Sequence, residues 1–322
     1  MGHKLLALLL FLLAFPSCLQ ALCPPPPSVQ CKSNGGGCQI FNYQGIWEDR
    51  SICRAAEAVS PKTEAEILHA VARAVKKKQK IKVVSTLAHS LSKLVCVGDH
   101  GLIISTENYA SVIGVNKGAM TITVQGGAMM RDVMEEAAKE GLALPAIIYW
   151  NGVSAAGVVS TGAHGSGLVG RGSGVYEYVV GMKLVVPASP SEGYSKVMSL
   201  STETDEDELK AARLSLGTLG VISQVTFALQ PMFKRSLSRP ILSDDKELQN
   251  EAAHFLRAHD FADLYWFPFH QKALFRRFDR VSVEVPGDGL NVAIGHFPSS
   301  VASLEYSDHL SKYLQISHLF VL

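Results

Sequence analysis

The segment Asn151-Gly-Val-Ser-Ala-Ala-Gly-Val-Val-Ser-Thr-Gly-Ala-His-Gly-Ser-Gly167 is the most informative part of this chain. It joins small residues, an apolar stretch that we expect to be a strand, and a polar glycine turn. Glycines let a ligand approach the backbone closely, because no side chain stands in the way. Backbone amides and neighbouring hydroxyls can then bind phosphate oxygens. The segment therefore predicts binding of a dinucleotide through its diphosphate.

A Rossmann fingerprint is the first alternative for the same residues. Gly165-Ser-Gly167-Leu-Val-Gly170 matches the spacing G-x-G-x-x-G after the apolar Val158-Val159. The fingerprint requires a helix directly after the glycines, inside a β-α-β unit with an acidic residue beyond it. Arg171-Gly-Ser-Gly174 follows instead and is too rich in glycine to begin a helix. The context argues against a Rossmann fold and leaves a purely structural glycine loop as the other alternative.

Two further motifs accompany this segment in chain order, Lys82-Val-Val-Ser-Thr-Leu-Ala-His-Ser90 and Ser215-Leu-Gly-Thr-Leu-Gly-Val-Ile222. With Thr161-Gly-Ala-His-Gly-Ser-Gly167 after Gly157, the set resembles the vanillyl-alcohol-oxidase-type flavoproteins. Within these it is most similar to the sugar-lactone oxidases of the plant L-gulonolactone oxidase type. The resemblance runs from about residue 45 to about residue 287. It implies an α+β fold, in which a PCMH-type FAD-binding domain of two subdomains precedes the start of an α+β substrate (cap) domain.

The resemblance implies FAD as the cofactor and assigns it to the three motifs and one further glycine. The implied cofactor-binding residues are Ser85, Thr86, His89, Ser90, Gly127, Ser154, Gly157, Thr161, Gly162, His164, Gly165, Ser166, Gly217, Gly220 and Ile222. No metal ligand is implied, and the sequence identifies no catalytic base.

Two histidines in these motifs each have two interpretations. The family often links the flavin 8α-methyl group to a histidine in a Gly-Gly-His-Ser setting. Here His89 keeps Ser90, but Ser85-Thr-Leu-Ala88 replaces the glycines and holds the backbone further from the pyrophosphate. Covalent attachment through His89 is therefore an expectation beside a structural or noncovalent role. His164 is expected either to contact the flavin or to support its loop.

The resemblance also implies a reaction. The expected substrate is a sugar 1,4-lactone, such as L-gulono-1,4-lactone on the way to L-ascorbate or D-arabinono-1,4-lactone, with molecular oxygen as acceptor. The flavin would take a hydride while a base takes the hydroxyl proton. Nothing in the sequence selects one lactone or alditol. Two alternatives stay open: a form that binds flavin without activity, and a non-enzymatic secreted interaction module.

The balance of charges limits the classes of partner, and the N-terminal region indicates the cellular compartment. Thirty basic and twenty-nine acidic residues give no strong field for nucleic acid, which favours small-molecule partners. Residues 1–22 have the pattern of a signal peptide, with a basic start, the apolar run Leu5 to Phe15 and Leu19-Gln-Ala21 for cleavage. That run is too short to span a bilayer. We expect the secretory pathway and an extracellular or vacuolar protein with no stable membrane span. The alternatives for the apolar run are an uncleaved anchor, which would associate the protein with a membrane, and a buried core helix.

Cysteines are concentrated after the leader, in a Cys-rich segment over residues 23–44 and just beyond it. Cys23, Cys31, Cys38 and Cys53 are expected to form disulfides of undetermined pairing. A zinc site is the weaker alternative, because the spacings are long and no histidine lies between them. Cys96 is then the odd thiol and is expected to be a buried small hydrophobe.

The spacing of apolar residues predicts the strands and helices of the expected FAD-binding domain, residues 45–231. The predicted strands are Ile81 to Val84, Leu102 to Ile104, Thr121 to Val124, Val179 to Val186 and Val221 to Leu229. One predicted helix is capped by Ser60 with Pro61 at its first position and carries an apolar stripe from Ile67 to Val75. Others are predicted from Met130 to Gly141 and after the acidic turn Glu203 to Glu208.

Residues 232–322 change to an aromatic and basic composition and are expected to begin the cap domain. The aromatic clusters Tyr265-Trp-Phe-Pro-Phe-His270 and Phe275-Arg-Arg-Phe278 are more typical of a core than of a binding surface. The His-x-Gly-Lys motif that the family carries near its C-terminus does not occur. The resemblance therefore implies that this chain is a truncated product or a fragment, and we expect it to oxidise the lactone poorly.

Overall fold

The computed structural model describes residues 27–33, 35–41, 53–87, 92–148, 152–167, 170–238, 241–286 and 320–321. The predicted signal peptide, Cys23, His89 and Ser90 lie outside the described residues.

Three five-stranded sheets, one antiparallel pair of short strands (β8 with β12) and six α-helices make up the described part. The strands are β1 Val29–Cys31, β2 Cys38–Ile40, β3 Cys53–Val59, β4 Ile81–Val84, β5 Gly98–Ser105, β6 Val112–Asn116, β7 Thr121–Gln125, β8 Leu142–Ala143, β9 Val179–Pro187, β10 Ser195–Ser201, β11 Val221–Ala228, β12 Gln230–Pro231, β13 Lys234–Leu237, β14 Ile241–Asp244, β15 Phe261–Phe267, β16 Lys272–Val281 and β17 Phe320–Val321. The helices are α1 Glu64–Lys76, α2 Ser92–Val95, α3 Met130–Lys139, α4 Ala155–Ser160, α5 Glu206–Arg213 and α6 Leu248–Arg257.

The first sheet has the order β1-β2-β3-β5-β4. Its central strand β5 pairs in parallel with both β3 and β4, whereas β1, β2 and β3 pair antiparallel. The N-terminal hairpin β1-β2 therefore extends the edge of this sheet. Parallel pairing needs a crossover connection, and α1 supplies it between β3 and β4.

Helix α1 begins three residues later than the sequence predicted. Thr63 is its N-cap, and the Thr63 side chain accepts a hydrogen bond from the Glu66 backbone N–H. The prediction of a Ser60 cap with Pro61 at the first position is wrong, because the Ser60 hydroxyl instead donates to Glu107 Oε1 at 2.7 Å. The apolar stripe is placed as predicted, with Ile67 and Val71 fully buried.

The second sheet has the order β10-β9-β11-β7-β6 and is antiparallel throughout. Helix α1 packs between the two sheets. Ile67 and Val71 of α1 contact Leu102 of the first sheet and Val185 and Val221 of the second in one buried cluster. This shared core joins the two halves of the N-terminal region, and burial of each such side chain stabilises it by about 1.5 to 3 kcal/mol.

The third sheet has the order β13-β16-β15-β17, and β14 also pairs with β16. Helix α6 covers one face, where Phe255 packs edge to face on Phe275 at 5.0 Å between ring centroids. Leu264, Ala273 and Phe275 are buried in the same cluster. Taken together, the three sheets and their helices confirm the predicted α+β fold.

Two local predictions are wrong. Val158-Val159 lies in helix α4 and not in a strand, because Ser154 caps the helix by accepting from the Gly157 N–H at 3.2 Å. Both valines are buried in the core of the second sheet. Cys96 is not a free thiol: it forms a disulfide with Cys53, since the parallel β3 and β5 bring their ends together.

The second described disulfide joins Cys31 to Cys38 across the β1-β2 hairpin. These are cross-strand partners in the register of the two strands. Both disulfides therefore stabilise the first sheet, one at its edge and one beside α2.

Candidate functional site

A cleft of about 320 Å³ lies between the first and second sheets. Its walls are the C-terminal half of α1, strand β4, the start of α4 and the loop that leads into β11. Seven of the predicted cofactor-binding residues line it: Ser85, Ser154, Gly157, Thr161, Gly217, Gly220 and Ile222. Three motifs that are separated along the chain thus meet in one place. A volume of this size falls at the lower end of the ~300–1,000 Å³ that small-molecule sites occupy.

Hydroxyl groups are concentrated around α4. Thr161 Oγ1 donates to the Gly157 carbonyl at 2.8 Å, and Ser160 Oγ donates to the same carbonyl at 3.4 Å. Ser154 Oγ accepts the Gly157 N–H, so its own hydrogen is free to donate into the cleft. The two ends of α4 can therefore present a hydroxyl hydrogen, from Ser154, and hydroxyl lone pairs, from Ser160 and Thr161, to a ligand.

The electrostatics of the cleft favour an anion. Among the described residues that line it, Lys82 is the one with a charged side chain, and no carboxylate is present. A diphosphate would meet a cation and several hydroxyls there without repulsion from an acid. Gly217 keeps the approach open, because it has free space beside it and φ +70°, a conformation that side chains disfavour.

One polar atom in the cleft lacks a partner. Gln79 Oε1 is buried and accepts no hydrogen bond from the described residues, although Gln79 Nε2 donates to the His100 carbonyl at 3.3 Å. Buried acceptors are normally satisfied. An amino group of a bound nucleobase would supply the missing donor.

The loop after β4 is fixed from outside the cleft. Ser28, which is buried, donates to the Thr86 carbonyl at 2.7 Å. Thr86 itself is exposed and does not line the cleft. The N-terminal hairpin therefore helps to position the loop that carries Ser85.

The other predicted residues lie elsewhere. Gly127 is buried, and a Cβ there would lie 2.3 Å from the Thr106 carbonyl oxygen and 2.5 Å from that of Tyr109, so this glycine serves backbone packing. Gly162 takes φ +72° just after α4, and His164 is exposed with Nδ1 2.9 Å from the Gly165 carbonyl. Gly165 and Ser166 line a separate cavity. The positions of His89 and Ser90 are not described.

Sequence reasoning missed several lining residues. They include Gln79, Lys82, Thr106 and Thr218. Lys82 and Thr218 fall inside the quoted motifs, and Thr106 directly follows strand β5, so their positions in the sequence could have indicated them. Nothing in the sequence indicated Gln79, because it lies in the short connection between α1 and β4.

Comparison with known proteins identifies one matching family and several named relatives. An FAD-binding-domain family matches residues 55–189. Probable L-gulonolactone oxidase 1 of Arabidopsis thaliana is 47% identical over 268 residues, which cover 83% of this chain and 45% of the relative. L-gulono-1,4-lactone dehydrogenase of Mycobacterium tuberculosis is 30% identical over 236 residues, covering 73% of this chain and 51% of that protein.

Over most of its own length, the chain is therefore similar to the plant L-gulonolactone oxidases. It spans about 45% of the length of the plant relatives it matches.

Solved structures show the same fold for the FAD-binding domain and the sheet that follows. A cholesterol oxidase from Brevibacterium sterolicum superimposes with a TM-score of 0.62 at 16% identity, covering 89% of this chain and 57% of that one. An alkyldihydroxyacetonephosphate synthase gives a TM-score of 0.54 at 14% identity, covering 79% and 50%.

The cleft fits the dinucleotide part of FAD. It provides hydroxyl donors, a lysine and glycine backbone for a diphosphate, and an unsatisfied acceptor for a nucleobase amine. Among the described lining residues no carboxylate opposes the phosphates.

Proposed function

We propose that this chain binds FAD in the cleft between its first two sheets and belongs to an enzyme that oxidises a sugar 1,4-lactone, with molecular oxygen as acceptor. The observation that carries the proposal is the meeting of three separated motifs in one carboxylate-free cleft among the described residues. The printed names of the relatives supply the substrate class, and L-gulono-1,4-lactone is the first candidate.

Each part of the cleft has a distinct task in this proposal. Ser154 and Thr161 hold the diphosphate at the start and end of α4, and Lys82 neutralises part of its charge. Gln79 selects a nucleobase that carries an amino group. The bound flavin supplies the ability to accept a hydride from a secondary alcohol and to return the electrons to oxygen. The protein's own contribution is to position the cofactor.

We further propose that His89 attaches the flavin covalently. The motivation is the position of His89 directly before Ser90, as in the family's first cofactor loop. His89→Ala should convert an acid-resistant flavin into one that is extracted on acid precipitation, while the protein stays folded. If the unaltered protein already releases its flavin in acid, the covalent bond does not exist.

The primary experiment is an absorbance spectrum of the purified protein before and after acid precipitation, followed by an assay of hydrogen peroxide with L-gulono-1,4-lactone. A flavin spectrum with lactone-dependent peroxide supports the proposal. A colourless protein would favour a non-enzymatic module. Flavin without peroxide from any aldonolactone would favour binding without catalysis.

We propose a secretory route for the protein. The two disulfides support an oxidising compartment, because cytosolic proteins rarely keep such bonds. Within the described ranges, the helices are all too short or too polar to cross a bilayer. Expression with and without residues 1–22, followed by assay of medium and cell fractions, tests the route; equal retention in cells for both forms would contradict it.

A further inference from the structure

A second cavity, of about 260 Å³, lies between the glycine-rich turn after α4 and one end of the third sheet. The turn contributes Gly165, Ser166, Arg171 and Ser173, and the third sheet contributes Arg235 and Arg280. The FAD cleft and this cavity share no described lining residue. Gly165 and Ser166, which the sequence assigned to the cofactor, line this cavity and not the FAD cleft, and the proposed function assigns the cavity no ligand.

Two arginines form the most unusual feature of this cavity. Arg235 on β13 and Arg280 on β16 are direct cross-strand partners. Like charges in that position repel each other. The pair is supported by two stacked rings, Phe233 and Phe261, whose centroids are 5.7 Å apart at an interplanar angle of 4°.

Each guanidinium lies over one ring of this stack. Arg235 Cζ is 3.7 Å from the Phe261 centroid, and Arg280 Cζ is 3.8 Å from that of Phe233. Cation–π contact holds the flat faces of the guanidiniums. Their N–H edges are left for hydrogen bonding, and a planar fork of donors matches a carboxylate or a phosphate.

Little negative charge compensates this pair. Asp260 Oδ2 lies 3.8 Å from Arg280 Nε, which is a loose contact. Arg235 forms no ion pair with any carboxylate among the described residues. Although the residue is accessible from the cavity, desolvation of its guanidinium against the rings, and then the charge of Arg280, lower the pKa of Arg235 to about 10. It therefore remains a cation at neutral pH.

Polar neutral groups surround the pair. Gln230 Oε1 accepts from Arg280 at 3.3 Å, while Gln230 Nε2 is buried and has no acceptor in the described part of the chain. Ser173 and Tyr178 also line the cavity, and the Tyr178 hydroxyl donates to the Gly172 carbonyl at 3.0 Å. These groups suit the hydroxyls of a polyol.

We propose that this cavity binds a small organic carboxylate of the sugar-acid class. The guanidinium pair holds the carboxylate, and the serine, tyrosine and glutamine side chains bind the hydroxylated chain. A hydroxylated carboxylate is favoured over inorganic phosphate because the serine, tyrosine and glutamine side chains match hydroxyl groups that phosphate lacks, and Asp260 offsets part of the positive charge of the lining. The site goes beyond the proposed oxidation, since it requires neither flavin nor a lactone.

The test is isothermal titration calorimetry on the flavin-loaded protein with D-gluconate, with inorganic phosphate and with sorbitol. Sorbitol has the same six-carbon polyol chain without the charge. We expect gluconate to bind, sorbitol to give no heat of binding, and phosphate to bind at least tenfold more weakly than gluconate.

Variants connect the binding to the pair. Arg235→Gln and Arg280→Gln should each weaken gluconate at least tenfold, and Arg235→Lys should weaken it by less, because the charge remains and the fork is lost. Arg257→Gln, at an exposed position at the end of α6, is the matched control and should bind as the unaltered protein does. Thermal unfolding and flavin content show that each variant is folded.

Several results would overturn the proposal. They are no binding of gluconate to the folded protein, equal binding of sorbitol, tighter binding of phosphate than of gluconate, or unchanged gluconate affinity in both glutamine variants. If the protein does not bind flavin, the apoprotein is titrated with gluconate instead. The result shows whether the second cavity binds the carboxylate even when the proposed function is wrong.

Discussion

Ser154 caps α4 and also lines the cleft in which we propose that FAD binds. Its oxygen accepts the Gly157 N–H, and its hydrogen remains available to a phosphate. The loss of an N-cap typically costs ~0.5–2 kcal/mol. The loss of a hydrogen bond to a charged group costs ~1.5–3 kcal/mol. The two effects can be measured separately.

We predict that Ser154→Ala lowers the free energy of unfolding by about 1 kcal/mol and weakens FAD by about tenfold or more. Thr63→Ala is the matched control, because Thr63 caps α1 and lies outside the cleft lining. It should lose similar stability and keep its FAD affinity. Urea unfolding and fluorescence titration of the apoprotein with FAD measure the two quantities. Equal FAD affinity in both variants would refute the role of Ser154.

Small residues show what the sequence can and cannot predict. The density of glycine and serine over residues 151–167 was sufficient to predict a dinucleotide site. It did not distinguish glycines that face the ligand from those that pack against the protein, because that depends on distant backbone. A Cβ on Gly165 would lie 2.2 Å from the Ile147 carbonyl oxygen, whereas one on Gly157 would meet Ser154 Oγ at 3.0 Å.

Gly165→Ala should therefore act on stability. Moving the Ile147 backbone away costs ~1–3 kcal/mol, as overpacking generally does. Gly114→Ala is the control, since a Cβ there meets nothing within 4 Å. Chemical denaturation of the two variants tests this, and equal midpoints would show that the turn relaxes without cost.

At the scale of elements, long periodic segments were predictable and short apolar runs were not. Helix α3 and strands β4, β7, β9 and β11 lie close to their predicted bounds. Helix α4 was taken for a strand, because a run of six residues cannot show a helical period and only its cap distinguishes it. The Cys53–Cys96 pairing was unpredictable for another reason: it depends on the parallel pairing of β3 with β5.

The two disulfides should differ in their effects. Cys53–Cys96 closes a loop over 43 residues and Cys31–Cys38 one over 7. Loop-entropy reasoning assigns them about 4 and about 2 kcal/mol of stability. Cys96 directly follows α2, whose Leu94 and Val95 line the FAD cleft.

We predict that replacing Cys53 and Cys96 by alanine lowers both stability and flavin content. Replacing Cys31 and Cys38 should lower stability less and leave the flavin-to-protein ratio unchanged. Denaturant unfolding and absorbance at the flavin band measure both. The argument fails if the hairpin pair proves the more important of the two for flavin.

At the scale of the whole molecule, the FAD cleft lies between two sheets that are joined through α1 and one hydrophobic cluster. A ligand bound there contacts both halves and stabilises their association. Bound at 100 times its dissociation constant, it adds ~2.7 kcal/mol to the free energy of unfolding. No described residue of the third sheet lines the cleft, so we do not expect the ligand to stabilise that sheet directly.

We predict that FAD raises the melting temperature of the apoprotein by about 5–10 °C at that concentration. NAD, which has the same diphosphate and adenosine but no isoalloxazine, should give a smaller shift. Differential scanning calorimetry at several concentrations tests both. A shift with NAD equal to that with FAD would mean that the cleft binds the adenosine diphosphate part alone.

The strand order of the second sheet bears on how the protein is made on the ribosome. Strand β11, residues Val221–Ala228, inserts between β9 and β7, and β7 ends near residue 125. At ~5–20 residues per second, the nascent chain therefore waits on the order of ten seconds after β7 pairs with β6 before β7 receives its second neighbour, β11. The loop that leads into β11 also forms a wall of the FAD cleft. The proposed FAD site is therefore completed only after β11 has been synthesised. Until then, the exposed edge of β7 must be protected from pairing with the wrong strand.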